Sequence, residues 1–357
     1  MALANIGVRA KGCPSKARYL NMNKGVQDSK KTCLNRRKAH FEESYACPGR
    51  CGAIISPAGQ SGAINGRKAM LGKLGLGTLG KAAGLIAGAY GVALATVWAN
   101  QERLLFKPDP FSRVGQNLRA MRGARVQGRR VREWAYKAPD GVSIQGFLSF
   151  PESMATGKGM ESVVYFGGIR EESSWALEHA HKFGDRAFVC MNYRGYGLSE
   201  GKPEQEKILH DCHNALSMLV GQGYLRADGV HLIGRSLGSG VAGYLCSRIG
   251  ARKACLVTPY DSVLRVAQKK YWYLPVGLMF RHPFDAMPWA QGNEAPMMML
   301  LSERDETVPH DHSHRLFNAW KGPKSQETLA GTDHSSIVCH EEFFAKIASF
   351  FDRALAS

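Results

Sequence analysis

One serine in this sequence has the surroundings of a catalytic nucleophile. Residues 234–238, Gly-Arg-Ser-Leu-Gly, fit the pattern G-x-S-x-G and lie between an apolar run at 230–233 and a run of small residues. In this setting the chain turns sharply from a strand into a helix, which lifts the serine hydroxyl above the carboxyl end of the sheet. The pattern predicts that Ser236 is a nucleophile for acyl transfer, with a purely structural turn as the alternative.

The nucleophile would need an acid and a base later in the chain, in the order Ser, Asp, His. Asp305 follows the next-to-last predicted strand, at 297–301, in the loop at its carboxyl end. That is where the acid belongs, and we predict this role for Asp305. Asp285 and Asp261 are the competitors, and a helix cap before Pro309 is the structural alternative.

One histidine is placed to be the base. His334 follows the last strand candidate, at 327–329, and precedes the terminal helix. A histidine there can take the serine proton and later give it to the leaving group. We predict that His334 is the base, with His340 in the following segment as the weaker alternative.

Two backbone amides are expected to stabilise the oxyanion. Leu237, at the start of the helix after the nucleophile, would supply one N–H group. The second should come from the loop after the third strand, which residues 166–169, Phe-Gly-Gly-Ile, fill. We favour the Ile169 amide, with the Gly168 amide next.

These residues need a scaffold, and from about residue 131 the chain alternates between strands and helices. Residues 131–138 and 142–150 flank Pro-Asp-Gly and predict a hairpin. The predicted strands that follow are 163–166, 187–191, 230–233, 254–257, 297–301 and 327–329, and the predicted helices are 175–183, 208–220, 239–249 and one from 341. This alternation predicts an α/β fold, with a mainly parallel sheet covered by helices on both faces, in one domain over residues 103–357.

A resemblance to a known family is carried by residues 192–201, Asn-Tyr-Arg-Gly-Tyr-Gly-Leu-Ser-Glu-Gly. They resemble the signature after the fourth strand in α/β-hydrolases of the Bem46-like group, which includes alpha/beta hydrolase domain-containing proteins 13 and 17. Further matches, in the family's order, lie at 105–108, 258–262, 284–285, 305–309 and 331–334. The resemblance covers about residues 100–357. It implies the α/β-hydrolase fold, an N-terminal membrane anchor, a Ser-Asp-His triad and hydrolysis of an ester, thioester or amide.

Two positions depart from the pattern of that family. Gly167 stands where the family has histidine, so the support of the oxyanion loop is expected to differ, and Ser302 stands where it has glycine. Neither change removes a member of the triad. The stretch 253–296 is too short for a large lid. Its uncharged residues 271–280 are expected either to line an acyl pocket or to pack in the core.

An uncharged stretch at 82–99 precedes the predicted domain. Its length is at the lower end of what spans a bilayer, and Trp98 stands where an interfacial aromatic residue is common. Gly80, Gly84 and Gly88 recur every four residues, which favours close association with another membrane helix. We predict that residues 70–100 form a single-pass membrane anchor, with a buried soluble helix and a signal peptide as alternatives. The G-x-G-x-x-G pattern at 75–80 follows no strand and is discarded as a phosphate loop.

The net charge of +17 is concentrated before the predicted catalytic body. Residues 1–81 carry a net charge of +12, residues 103–132 carry +8 and residues 133–357 carry −2. The second region would lie beside anionic lipid headgroups, and it contains Arg119, Arg122, Arg125, Arg129, Arg130 and Arg132. The charge therefore indicates a membrane surface as the partner rather than a specific nucleic acid. Basic residues close to the span are balanced, and only the long tail favours an inside N-terminus with the hydrolase facing outward.

Residues 1–69 are predicted to form a disordered basic tail, because they contain few large apolar residues. An alternative is that translation starts at Met70. A zinc site would have to use Cys33, His40, Cys47 and Cys51, whose spacing matches no common ligand pattern. Three further histidines are expected on an exposed surface: His310, His312 and His314. We therefore predict neither a metal nor a cofactor.

Together these features predict a membrane-anchored serine hydrolase that cleaves an ester or thioester of a lipid or acyl-protein substrate through an acyl-enzyme intermediate. A serine peptidase of the proline-aminopeptidase-like type is the alternative on the same fold, and it would need an acidic site for the substrate amine. The non-enzyme alternative is a basic, membrane-tethered binding protein. Salt-sensitive RNA binding by residues 1–69 would support that as an added role.

Overall fold

Nine strands form one sheet in the computed structural model of this chain, which describes residues 76–106, 125–154 and 159–354. The strands are β1 (Arg125–Val126), β2 (Arg129–Lys137), β3 (Ser143–Pro151), β4 (Met160–Phe166), β5 (Ala187–Met191), β6 (Leu225–Arg235), β7 (Lys253–Val257), β8 (Met297–Arg304) and β9 (Lys324–Asp333). Their order in the sheet is β1-β2-β3-β5-β4-β6-β7-β8-β9. The first three pairs in this order, β1-β2, β2-β3 and β3-β5, are antiparallel. The other five pairs, from β5-β4 to β8-β9, are parallel, so the predicted mainly parallel sheet is confirmed.

Helices fill the connections between the strands. The α-helices are α1 (Leu76–Ala99), α2 (Gln101–Leu105), α3 (Gln205–Gly221), α4 (Leu237–Ile249), α5 (Val263–Lys270), α6 (Val276–Met279), α7 (Met287–Gly292), α8 (His310–Ala319) and α9 (Phe343–Asp352). Two 3-10 helices cover Ser173–Phe183 and Ser336–Cys339. All of the described residues lie within one unit of the chain, Gly59–Ser357.

The central strands are apolar throughout because both of their faces are covered. In β6, for example, Leu232 packs with residues of α3 and α4, whereas its neighbour Ile233 packs with residues of Ser173–Phe183 and α9. Successive side chains of a strand point to opposite faces, so each strand supplies two separate core clusters. The predicted placement of helices on both faces is confirmed.

The region between β7 and β8 differs most from the prediction. It contains α5, α6 and α7, which are only eight, four and six residues long. A helix of four to eight residues is too short to show a repeated apolar spacing of helical period. For this reason these three helices were not predicted from the sequence. The uncharged residues 271–280 lie here, and the side chains of Trp272 and Leu278 are exposed. The expectation that this stretch packs in the core is therefore wrong for its two most exposed residues.

α1 is long and apolar enough to cross a membrane. Residues Gly80–Ala99 have a mean hydropathy of 1.6, and none of this stretch is buried. The alternative of a buried soluble helix is therefore wrong. A Cβ atom added at Gly80, Gly84 or Gly88 would meet no atom of the described residues within 4 Å, so no described part of the chain covers this face of the helix.

Several predictions lie outside the described residues. They include the disordered tail, the zinc alternative and the side chains of Arg119, Arg122 and Arg125. Arg129 is described, and its predicted position at the headgroups is wrong. Its guanidinium is buried and donates to the Ser149 hydroxyl at 3.1 Å and to the Gly184 carbonyl at 2.7 Å. This burial lowers the pKa of Arg129 to about 10.

Candidate active site

Ser236 occupies a sharp turn between a strand and a helix. β6 ends at Arg235 and α4 begins at Leu237, so the serine is the single residue between them. Its φ of 50° and ψ of −117° lie in a region that costs a non-glycine residue roughly 1–3 kcal/mol. Glycines permit the turn, because a Cβ atom at Gly234 would lie 2.2 Å from the Gly238 carbonyl oxygen. The local sequence thus holds the Ser236 side chain at the carboxyl end of β6.

His334 lies between Ser236 and Asp305. Its Nε2 is 2.9 Å from Ser236 Oγ, and its Nδ1 is 2.8 Å from Asp305 Oδ2. A single neutral tautomer, with the proton on Nδ1, satisfies both contacts and leaves Nε2 to accept the serine proton. Each of the three residues directly follows a strand, namely β6, β8 or β9. Parallel strands bring their carboxyl ends to one edge of the sheet, and for this reason positions far apart in the chain meet here.

The Asp305 carboxylate is buried and held by several donors. The N–H groups of Thr307 and Val308 donate to Oδ1 at 3.0 and 2.8 Å, and the Ser302 hydroxyl donates to Oδ2 at 3.2 Å. Burial alone would raise the pKa of Asp305, but His334 and the two backbone donors lower it below its usual value. The carboxylate is therefore ionised at neutral pH. Ser302, the departure from the family's glycine, adds a hydrogen bond to it.

The two competing acids are engaged elsewhere. Asp261 is buried, and it accepts from His312 Nδ1 and from Arg315 Nε, each at 2.7 Å. Asp285 pairs with Arg265 at 3.1 Å on the surface. Asp305 is thus the member of the three that contacts His334.

The other histidines have separate surroundings. His340 accepts a hydrogen bond from the Glu342 N–H at 3.3 Å, within its own turn. His312 was expected to be exposed and is instead buried, because the face of α8 that carries it packs on the loop containing Asp261. In the described part of the chain, no three potential ligands from His, Cys, Asp and Glu come together.

The three predicted oxyanion donors differ in what their N–H groups contact. The Gly168 N–H donates to Glu171 Oε2 at 2.8 Å, so it is not available to an oxyanion in this structure. Leu237 is the first residue of α4, where N–H groups have no partner within the helix. Ile169 follows Gly168, and its carbonyl accepts from the Tyr196 hydroxyl at 2.7 Å, which ties the loop to the body. Leu237 and Ile169 remain the candidates.

A buried ion pair beneath this loop was not predicted from the sequence. Glu171 Oε2 accepts from Arg235 Nη1 at 2.6 Å, and both residues are buried. The other carboxylate oxygen accepts from the Tyr165 hydroxyl at 2.6 Å and from Trp175 Nε1 at 2.7 Å. Arg235 Nη2 donates to the His334 carbonyl at 2.8 Å. One arginine therefore joins the loop of the oxyanion candidates, the turn of the serine and the loop of the histidine.

The chain is similar in sequence to several known proteins over part of its length. An uncharacterized protein of Mycobacterium tuberculosis is 25% identical over 244 residues, which cover 67% of this chain and 82% of that protein. Alpha/beta hydrolase domain-containing protein 17B of Homo sapiens is 24% identical over 171 residues, or 46% of this chain and 56% of that protein. Alpha/beta hydrolase domain-containing protein WAV2 of Arabidopsis thaliana is 27% identical over 142 residues, or 36% and 46%. No protein-family model matches the chain.

Solved structures share the fold. An acetyl xylan esterase from Paenibacillus sp. R4 has a TM-score of 0.53 and 17% identity, covering 70% of this chain and 98% of that chain. An esterase of Pyrococcus furiosus has a TM-score of 0.52 and 18% identity, covering 70% and 100%. Likeness at this identity concerns the fold, and the fold predicted from the sequence is confirmed.

Proposed function

We propose that this chain, which is similar in sequence to alpha/beta hydrolase domain-containing proteins, is a serine hydrolase of the α/β-hydrolase superfamily that acts on an ester or thioester. The proposal is carried by one observation. His334 bridges Ser236 and Asp305 with contacts of 2.9 and 2.8 Å, on a serine held in a strained turn. Nucleophilic acyl transfer requires this arrangement, in which a hydroxyl contacts a base and the base contacts an ionised acid.

The first half of the proposed reaction forms an acyl-enzyme. Ser236 Oγ attacks the substrate carbonyl carbon while its proton passes to His334 Nε2. The amides of Leu237 and Ile169 donate to the oxygen that gains negative charge. When the tetrahedral intermediate collapses, the bond to the leaving group breaks, and His334 gives its proton to the departing alcohol or thiol. Asp305 keeps the imidazole in the right tautomer and stabilises its charged form.

The second half restores the enzyme. A water molecule loses a proton to His334 Nε2 and attacks the acyl carbon, so that a second tetrahedral intermediate forms. Its collapse breaks the bond to Ser236 Oγ, which regains the proton from His334, and the carboxylic acid leaves. The same residues thus serve both halves, with no cofactor in either.

The proposed substrates are lipid or acyl-protein esters and thioesters at a membrane surface. An apolar helix, Gly80–Ala99, precedes the catalytic domain and has the length of a membrane span. We propose that it is a single-pass anchor that keeps the domain at the bilayer, where long-chain acyl groups are concentrated. Its glycine face, Gly80, Gly84 and Gly88, is the proposed site of association with another membrane helix.

Covalent labelling and turnover of the same variants test the proposal. The full chain in detergent is treated with a fluorophosphonate probe and then assayed with p-nitrophenyl acetate and p-nitrophenyl octanoate. We expect Ser236→Ala to lose labelling, and Ser236→Ala and His334→Ala each to reduce kcat by about 10³-fold or more. His340→Ala is the matched histidine control and should retain both. Full labelling of Ser236→Ala would refute the assignment of the nucleophile.

A further inference from the structure

A stretch of the chain far from the triad in sequence exposes large apolar side chains. Residues 271–280, Tyr-Trp-Tyr-Leu-Pro-Val-Gly-Leu-Met-Phe, carry no charge, and we call them the aromatic segment. The exposed fractions are 81% for Trp272, 60% for Tyr273 and 91% for Leu278. Large apolar residues scattered singly are normal on a soluble surface, but a contiguous patch of this kind marks an interaction site.

The aromatic segment lies against the apolar helix α1. The Tyr90 hydroxyl of α1 donates to the Tyr273 carbonyl at 3.4 Å, and Gln101 Nε2, in the short helix α2 that follows α1, donates to the Met279 carbonyl at 3.1 Å. Tyr90 is nine residues before Ala99, the last residue of α1, which is about 14 Å along a helix axis. The hydrocarbon core of a bilayer is about 30 Å thick. If α1 crosses the bilayer, the aromatic segment therefore reaches about half of that depth.

The backbone of the aromatic segment is suited to an apolar medium. It makes hydrogen bonds within itself, from Leu274 N to the Tyr271 carbonyl at 2.9 Å and from Leu278 N to the Pro275 carbonyl at 3.1 Å. The Phe280 N–H donates to the Val276 carbonyl at 3.1 Å. Internal hydrogen bonds of this kind are what a chain needs in lipid, where no water can replace them.

Charged residues lie at the two ends of the aromatic segment and not within it. Lys269 and Lys270 precede it, and Arg281 follows it. The Arg281 guanidinium stacks on the ring of Trp98 with 4.0 Å to the ring centroid, close to the end of α1. Aromatic and basic residues favour the headgroup region, so these flanks mark the level at which the chain would enter the membrane.

We propose that the aromatic segment is a second membrane-inserting element, which enters the same leaflet as the C-terminal half of α1. The occupant of the exposed patch is the lipid bilayer itself. This inference rests on the proposed membrane anchor. It adds that the domain is held in one orientation by two elements and does not swing freely on a tether.

The orientation has a consequence for the candidate active site. The aromatic segment belongs to the connection that leaves the carboxyl end of β7, and this strand pairs in parallel with β6. The Ser236 N–H donates to the carbonyl of Val257, the last residue of β7, at 2.9 Å. The proposed nucleophile and the inserted segment thus leave the sheet at the same edge, and insertion turns this edge towards the lipid.

Depth-dependent quenching of tryptophan fluorescence tests the proposal. The full chain is reconstituted in phosphatidylcholine vesicles whose acyl chains carry bromine, with unbrominated vesicles as the reference. Trp272→Phe and Trp98→Phe are compared with the natural chain. We expect Trp272→Phe to remove a strongly quenched part of the emission, because Trp272 would lie in the hydrocarbon. Trp98→Phe should remove a part that is quenched more weakly, and mainly by bromine on the acyl carbons nearest the headgroups, because Trp98 would lie at that level.

The outcomes separate the two proposals. If only Trp98→Phe changes the quenching, α1 is in the membrane and the aromatic segment is not, which overturns the inference and leaves the anchor in place. If bromine at every acyl position, including those nearest the headgroups, fails to quench the emission that either variant removes, the anchor fails as well. Hydrolysis of p-nitrophenyl acetate in detergent reports on the serine hydrolase assignment alone and is expected to be unchanged in both variants.

A second measurement addresses the orientation. Trp272→Ser combined with Leu278→Ser should reduce hydrolysis of a long-chain ester embedded in vesicles by several-fold and leave hydrolysis of soluble p-nitrophenyl acetate unchanged. Met154→Ser, which alters an exposed apolar residue in another part of the chain, is the control and should change neither. Equal rates of the double variant and the natural chain on the embedded ester would overturn the role of the segment.

Discussion

Arg235 and Glu171 form a buried ion pair directly beneath the proposed oxyanion loop, with 2.6 Å between Nη1 and Oε2. The arginine is the variable residue before the serine in G-x-S-x-G, and the glutamate lies three residues after Gly168. A Cβ atom at Gly168 would be 2.9 Å from Arg235 Nη1, which shows how closely the loop rests on this pair. The pair thus supports the loop at the place where the resembled family has histidine.

Replacing Arg235 should destabilise the fold strongly. Arg235→Met removes the guanidinium charge that faces the buried Glu171 carboxylate, and the loss of one partner of a buried pair costs about 3–5 kcal/mol. Urea unfolding of the full chain in detergent measures the change. Arg265→Met, which removes the arginine of the exposed pair with Asp285, is the control and should cost about 0–1 kcal/mol.

The double variant separates pairing from packing. Glu171→Gln combined with Arg235→Met should be less destabilised than the sum of the single variants, since neither charge remains buried alone. Additive losses would show that the two residues act independently. Arg235→Lys should keep much of the stability and still lower kcat, because one ammonium cannot replace both the contact with Glu171 and that with the His334 carbonyl.

Asp305→Asn should reduce turnover without unfolding the protein. An amide at this position no longer holds the His334 tautomer or stabilises its charged form, and comparable changes in triads lower kcat by about 10⁴-fold. Hydrolysis of p-nitrophenyl acetate measures the effect. Asp285→Asn, which alters the nearest competitor in the sequence argument, should keep near-normal kcat. A larger loss in Asp285→Asn than in Asp305→Asn would reverse the assignment.

The residues that follow strands were the ones predictable from the sequence. Ser236, Asp305 and His334 each come directly after a strand, and a parallel sheet brings the carboxyl ends of its strands together whatever the intervening chain does. The fold class and the contact between the three followed from that rule. The predicted strands were shorter than the observed ones. For example, β6 begins at Leu225 and not at 230, because residues 226–228 are exposed and two of them are charged, which interrupts the apolar run.

Contacts between side chains of different loops and helices were not predictable from the positions of the strands. The Glu171–Arg235 contact joins positions 64 residues apart and depends on how one loop lies over another, for which a single sequence carries no signal. An arginine next to the nucleophile is the one cue that could have been followed, because that position is buried in this fold. His312 was misjudged for the same reason, since its partner Asp261 lies on a different element.

Gly238→Ala should lower activity by displacing the oxyanion loop. A Cβ atom at this position would lie 2.2 Å from the Phe166 carbonyl oxygen, and backbone cannot give way at small cost. A shift of about 1 Å at a reacting centre can cost about 10²-fold in rate, and we expect a loss of kcat of that order. The kcat for p-nitrophenyl acetate is the measurement.

Gly243→Ala in the same helix is the matched control for that prediction. Among the residues that the structure describes, a Cβ atom there would meet no atom within 4 Å, so the substitution should leave kcat unchanged. It should raise the free energy of unfolding by up to about 1 kcal/mol, because alanine favours a helix over glycine. Equal effects of the two substitutions on kcat would show that the close contact with Phe166 is irrelevant to the site.

His231 should make the protein less stable in mild acid. Its ring is buried in β6 beside Phe351, with 4.7 Å between ring centroids, and Nε2 is 3.9 Å from Glu161. Burial, followed by the positive charges of Arg186, Lys253 and Arg252, lowers the pKa of His231 to about 3, although Asp352 opposes this. The folded protein therefore keeps the ring neutral at a pH where the unfolded chain, with a pKa of about 6.5, has taken up a proton.

The stability that comes from keeping this ring neutral is fully present above about pH 6.5 and is lost as the pH falls towards 3, because the unfolded state binds the extra proton. Between about pH 7.5 and pH 5 the loss from this one group is about 2 kcal/mol. His231→Leu removes the group, so the free energy of unfolding of the variant, measured with urea at both values, should fall by about 2 kcal/mol less than that of the natural chain. The same decrease in both proteins would show that His231 is protonated in the folded state and that its burial does not control its charge.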